Sequence, residues 1–352
     1  MGNGAIIDQT RPDQTRPDHS IVRSSSLELL RIVAMLMIIA SHLAQHGRFD
    51  FPFDSLSVNR LWWQFMRTSG SRGNDLFVLI SGYFLVNSSG IKFHKMLNLW
   101  SRMFLYSVVV FCALTFSGIE VFSVKAVLKA VMPVTHGWWW FPKTYFVLYL
   151  IHPYLNILLH GFNRREYEKF LVAVMMYWCL IPFFLHTSFE GSSLIYFICL
   201  YSLAGYFRLW AKDFGGKMFT LYGILCIMAH IFVHGVLDAV GIERETFWGG
   251  MMSPFTLLSA LCLFLGFRKL DIRYSKIVNV IAAATFGVYM LHENKFNIQV
   301  LWGNVFGVAS FQDSPYLILY SIMVILIVYT VCTVLELLRS WVFRKVSRGL
   351  LS

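Results

Sequence analysis

Charge is what this chain has least of. Asp, Glu, Lys and Arg make up 14% of its 352 residues, against roughly 25% in an ordinary soluble domain. A chain this long and this poor in charge cannot cover its apolar surface in water. That excludes a cytosolic globule and a wholly disordered protein. Cysteine is sparse as well. Cys112, Cys179, Cys199, Cys226, Cys262 and Cys332 all fall in apolar stretches and form no CxxC pair. They read as small apolar residues, with neither a disulfide scaffold nor a zinc cluster expected. No GxSxG elbow surrounds Ser81 and no HExxH run occurs, so the hydrolase and metalloprotease signatures are missing. After residue 26 no polar stretch is long enough to build a soluble domain.

What the chain does have is apolar length. Hydrophobic residues make up 57% and the mean hydropathy is +0.60, which points to a polytopic membrane protein. A hydrocarbon core needs roughly 20 apolar residues per helix. Ten intervals qualify: 28–46, 66–87, 103–118, 143–160, 169–186, 193–210, 218–238, 253–267, 277–293 and 316–338. The fold class is therefore all-α, with about ten transmembrane helices. Segment 119–142 carries Lys125 and Lys129 and ends in Trp138-Trp139-Trp140, an interfacial pattern. It reads as an amphipathic or re-entrant piece on the outer side.

Residues 1–26 are polar and repeat Asp8-Gln-Thr-Arg-Pro12 as Asp13-Gln-Thr-Arg-Pro17. A disordered tail is expected there, and not a signal peptide. A membrane domain over 27–343 and a basic tail over 344–352 follow.

The net charge of +11 does not call for nucleic acid. With the N-terminus inside, segments 1–31, 88–102, 161–169, 208–217, 268–276 and 339–352 face the cytoplasm. They hold 21 of the 30 lysines and arginines. Basic residues collect in cytoplasmic loops, so both termini are expected inside, in a cytoplasmic membrane.

Polar residues inside a membrane segment are costly and tend to line cavities or do chemistry. The first segment reads Leu27-Glu28-Leu29-Leu30-Arg31, runs apolar to Ala40, then gives Ser41-His42. Eleven residues at ~100° each make about three turns, so Arg31 and His42 share a face. Glu28 lies near it, and His46 one turn beyond. The rise between Arg31 and His42 is ~16 Å. Arg31 would then sit at the inner surface and His42 near mid-membrane. An arginine there suits a phosphorylated donor, and a histidine suits proton removal from an attacking hydroxyl. An inner-surface anchor and an interhelical hydrogen-bonder account for the same two residues. In the second segment Asp75 is expected near the outer end, orienting a histidine or bordering an acceptor. Ser81-Gly82 reads first as a small-residue packing contact.

Several of these residues together resemble the acyltransferase-3 family of bacterial membrane acyltransferases. The likeness rests on Leu29-Leu30-Arg31 with His42, and on Asp75-Leu-Phe followed by Ser81-Gly82-Tyr83-Phe84-Leu85. It extends through Trp140-Phe141, Tyr149 and Pro153 to Phe286-Gly287-Val288-Tyr289-Met290-Leu291-His292. The resemblance implies about ten spans. It also implies acyl transfer, often of acetyl, from cytosolic acyl-CoA to a sugar hydroxyl beyond the membrane, with Arg31 on the donor side and His42 catalytic. That family often carries two arginines three apart at the third span. Here Arg102 matches the second, whereas Leu99 occupies the first place; Lys92, His94 and Lys95 lie upstream.

The expected site is thus His42 as base; Arg31, Arg102 and Lys95 on acyl-CoA; Asp75, Trp140 and His292 towards a carbohydrate acceptor; and Glu28 and Ser81 in support. Ser41 and Tyr83 are candidates for the oxyanion. Trp138, Trp139 and Trp140 could stack on sugar rings or form an interfacial belt. His292-Glu293 reads as acceptor lining or a helix cap, and His152-Pro153 as a kink. His230 and His234 are one turn apart, a zinc-compatible spacing, but without a third ligand they read as polar lining, and no metal is expected. The rival class is a transporter or flippase without covalent chemistry.

Overall fold

A computed structural model describes residues 24–52, 56–185, 192–241 and 250–349. The expected tail over 1–26 falls almost wholly outside them. Among the described residues the chain is helical throughout, without a strand. The helices are α1 (Ser25–His46), α2 (Val58–Leu85), α3 (Phe93–Phe116), α4 (Val124–Val131), α5 (Trp140–Gly161), α6 (Arg164–Met175) and α7 (Ile181–Leu185). They continue as α8 (Ser192–Leu209), α9 (Lys217–Ala239), α10 (Pro254–Arg268), α11 (Lys276–His292), α12 (Lys295–Val300) and α13 (Leu317–Gly349). A π turn, Met176–Leu180, joins α6 to α7.

Each apolar interval expected to cross falls on a helix or, for 169–186, on the joined α6–α7. Five helices are long and apolar enough to span a bilayer: Ser25–His46, Phe93–Phe116, Arg164–Leu185, Lys217–Ala239 and Leu317–Val346. Three shorter apolar helices accompany them. Helix α2 begins eight residues before its expected apolar start at 66. The added turns carry Arg60 and Gln64, which a hydropathy window rejects. The structure retains them because Arg60 Nη2 lies 3.0 Å from Asp238 of α9, and Gln64 donates to the same carboxylate. A charge that faces a partner inside the bundle escapes most of the cost of lipid.

Helix α1 is central. It packs most extensively on α2, then on α11, α13 and α10. Close approach to α2 needs glycine at two places. A Cβ at Gly73 would stand 2.6 Å from the Ala34 carbonyl, and one at Gly70 would stand 2.6 Å from Ser41 Cβ. The outer face of α13, with Leu319, Met323 and Leu326, stays exposed, as a lipid-facing surface does.

Helix ends matter near the site. Pro153, inside α5, has no N–H for the Tyr149 carbonyl four residues back. His152 Nδ1 donates to that carbonyl instead, at 2.5 Å. Helix α11 stops at His292, and Asn294 caps α12 by accepting from the Asn297 N–H at 3.0 Å. Glu293 is left in the joint between two helices, free of either helical face. Segment 119–142, expected to be amphipathic, holds α4 and a tight turn before α5.

Candidate active site

Two polar centres occupy opposite ends of α1. The first is a cavity of about 550 Å³ where the start of α1 meets the end of α2 and the start of α3. Glu28, Arg31, Ser81, Lys92, Lys95 and Tyr149 line it. Arg31 and Glu28 lie one turn apart, so their side chains meet. Arg31 Nη1 donates to both oxygens of Glu28, at 2.9 and 3.1 Å. Glu28 is buried while Arg31 keeps 21% side-chain exposure. The carboxylate therefore orients the guanidinium and leaves its remaining N–H groups for the cavity. Three cations and one carboxylate line it, which makes its wall net positive.

The second centre lies three turns further along α1. His42 Nδ1 is 2.9 Å from His292 Nε2, and His292 Nδ1 is 2.6 Å from the Val288 carbonyl. A carbonyl only accepts, so His292 Nδ1 carries the hydrogen. In a neutral ring His292 Nε2 is then an acceptor. His42 Nδ1 must donate to it, which leaves the lone pair of His42 on Nε2. That nitrogen has no hydrogen bond among the described residues, and His42 retains 12% side-chain exposure. Glu293 Oε2 lies 3.1 Å from His42 Nδ1 but off the N–H direction, without a hydrogen bond of its own among the described residues. It acts as a near negative charge. Its other oxygen is 3.3 Å from His46 Nε2. The ring of Tyr289 stands edge-on to His42, centroids 5.8 Å apart.

The expected residues divide between these centres and other places. Arg31, Lys95, Glu28 and Ser81 share the first cavity, and His42 and His292 meet at the second. His292 is fully buried and serves His42, whereas it was expected to line the acceptor. Glu293, read from the sequence as lining or cap, stands 3.1 Å from His42. Its sequence signal is an acid beside a histidine at the end of a helix.

Arg102 does not reach the first cavity. It donates to Asn98 at 3.3 Å and lies 3.5 Å from Glu336, a buried acid that Arg339 and Tyr106 also bind. It borders a separate cavity of about 630 Å³ with Arg339 and Arg344. Asp75 is sealed in mid-α2 and not near its outer end. It accepts from Tyr196 at 3.2 Å. The longer α2 accounts for that shift. Trp140 packs on Phe141 and Phe197. Of the two oxyanion candidates, Ser41 donates to the Arg67 carbonyl at 2.8 Å, and the Tyr83 hydroxyl accepts from Arg208 at 3.2 Å. Ser41 thereby uses its one hydroxyl hydrogen, whereas Tyr83 keeps its own.

His230 and His234 join a buried network. Arg72 donates to His230 Nδ1, and the two Nε2 atoms are 3.0 Å apart. A cation already occupies one face of that pair. Among the described residues, the grouping with metal-compatible spacing is instead His42, His292 and Glu293, whose donor atoms all lie within 4.8 Å of one another.

A family model described as an acyltransferase domain matches residues 24–335, which takes in both centres of α1 and the His292-Glu293 pair. The chain belongs to the acyltransferase-3 family. It is a membrane-embedded acyltransferase with several spans, moving groups other than amino-acyl groups. No curated protein and no solved structure matches it. In this family member the cavity at Arg31 and the imidazole of His42 stand on one helix, roughly 16 Å apart along its axis.

Proposed function

We propose that this acyltransferase moves an acyl group, acetyl as the simplest case, from cytosolic acyl-CoA to a hydroxyl of a cell-surface or exported polysaccharide. The observation that carries the reading is the free Nε2 of His42, fixed in its tautomer by His292. The first cavity takes the CoA phosphates on Arg31, Lys92 and Lys95. Charge-assisted contacts to phosphate suit a guanidinium and ammonium groups.

His42 Nε2 accepts the proton of the sugar hydroxyl as its oxygen attacks the thioester carbonyl. The carbon–sulfur bond breaks, the ester forms, and the CoA thiolate takes the proton back from the imidazolium. Charge and protons balance. Glu293 steadies the imidazolium through its proximity to Nδ1. This electrostatic support costs no reorganisation when the charge appears. The basic bias of the loops supports ten spans with both termini in the cytoplasm of a bacterium. The donor cavity then faces the cytosol.

Comparison of base-labile esters on the surface glycan by mass spectrometry tests the reading. The wild-type strain should carry an ester that a deletion strain lacks. Identical ester content in both strains would remove the surface glycan as the acceptor.

The clustered His42, His292 and Glu293 raise the question of a metal. His42 Nδ1 and His292 Nε2 share a proton, a role a bound cation would displace. Transfer by purified enzyme should therefore survive prolonged chelation, and elemental analysis should find less than stoichiometric zinc. Loss of activity with a chelator, restored by zinc, would sink the hydrogen-bonded arrangement.

A further inference from the structure

Helix α3 leaves the donor cavity near Lys95 and, roughly 18–28 Å further along, forms the wall of another cavity. This one has a volume of about 270 Å³ and lies between α3, α4, the turn before α5, and the start of α12. Sites for drug-sized ligands run about 300–1,000 Å³, so it has room for one small ring. Two short stretches of chain link its wall to the residues around His42. Lys295 in its wall is two residues beyond Glu293. Trp139 in its wall is two residues before Phe141, whose ring lies 5.7 Å from Tyr289, the ring that flanks His42.

The lining is chemically mixed. Trp138 is 56% exposed and Trp139 is 2% exposed. Among the described residues the Trp139 indole N–H has no hydrogen-bond partner, and an orphaned buried donor calls for an acceptor. Lys295 lies 3.5 Å from Glu120, so that carboxylate neutralises one lysine. Lys129 also lines the cavity, with no carboxylate within ion-pair distance among the described residues. His136 adds a polar ring held by Thr135.

We infer that this cavity is the acceptor subsite and that it selects a sugar bearing an acidic substituent. The inference rests on the acyl-transfer reading and names the substrate class of that site. The apolar face of a pyranose lies on Trp138, as amphipathic rings favour a surface with one wet edge. A ring oxygen or hydroxyl accepts from Trp139 Nε1. The carboxylate or phosphate of the sugar meets Lys129. An anionic lipid headgroup presents the same charge without the ring.

The test uses the full-length enzyme in nanodiscs of phosphatidylcholine. It is titrated with a glucuronate-terminated disaccharide and with its glucose-terminated counterpart, following tryptophan fluorescence. The acidic sugar should bind about tenfold more tightly, the worth of one charge-assisted contact. Lys129→Gln should abolish that preference and leave binding of the neutral sugar unchanged. Trp139→Phe keeps the bulk of the ring and removes its N–H, so it should weaken both sugars several-fold. Acyl-CoA binding, unchanged in both variants, checks that they fold. Equal affinity for the two sugars, or a preference that survives Lys129→Gln, overturns the inference. If, in nanodiscs that also contain phosphatidylglycerol, Lys129→Gln alters retention of that lipid but not of saccharide, the cavity is a headgroup site and the inference fails. Transfer from acetyl-CoA separates the two layers. Esters formed equally on both sugars leave the transfer reading standing and remove the acidic selection. Preferential binding without any ester removes the transfer reading and leaves the cavity.

Discussion

Replacing His42 by alanine lowers acyl transfer by about 10²–10⁴-fold, the usual contribution of a positioned general base. Alanine also takes away the donor to His292 Nε2, which is fully buried, so part of any loss could come from the fold. His42→Gln separates the two effects. Its amide can donate to His292 but cannot take a proton at neutral pH. Both variants should therefore lose transfer to a similar extent, while the glutamine variant melts closer to the wild type. Neither should change the affinity for acyl-CoA, because His42 lies roughly 16 Å along α1 from Arg31. The measurements are initial rates of ester formation, thermal unfolding in detergent, and acyl-CoA titration. Transfer near the wild-type rate in His42→Gln would remove the base from His42 altogether.

The second large effect is on the donor. Arg31 is hydrogen-bonded to buried Glu28, and removing one member of such a pair harms the fold for reasons unrelated to the ligand. The informative variant is therefore Arg31→Gln together with Glu28→Gln, which exchanges the ion pair for two amides. A hydrogen bond to a charged group contributes about 1.5–3 kcal/mol. Its loss corresponds to a rise of about 10–100-fold in the Kd for acyl-CoA. The slope of affinity against salt should fall as well, because one phosphate contact is gone. The rate at saturating acyl-CoA should stay within a small factor of wild type if His42 is undisturbed. An unchanged Kd in a folded double variant would move the donor to another cavity. The one lined by Arg102, Arg339 and Arg344 is then the next to examine.

The sequence alone determined the helical membrane character, because a charge content of 14% and repeated apolar intervals leave water-soluble folds no way to cover their surface. It also determined that Arg31 and His42 share a face, since spacing along one helix is fixed by 3.6 residues per turn. Helix ends were legible to within a few residues where apolarity marked them. The starts of α2 and α3 and the end of α13 were the exceptions: α3 begins ten residues before its expected start and α13 ends eleven residues past its expected end. The first turns of α2 carry Arg60 and Gln64, whose partner Asp238 lies 178 and 174 residues away, and no local pattern announces such a pair.

Only the tertiary structure decided which groups meet. It brought His292 and Glu293 to His42 across 250 residues, because α11 packs on α1 and ends beside it. It sent Arg102 to Glu336 and left Lys92 and Lys95 with Arg31. It sealed Asp75 against Tyr196. Periodicity fixes the direction of a side chain from its own helix. The neighbour in that direction depends on how distant helices pack, and here that packing set the tautomer of His42.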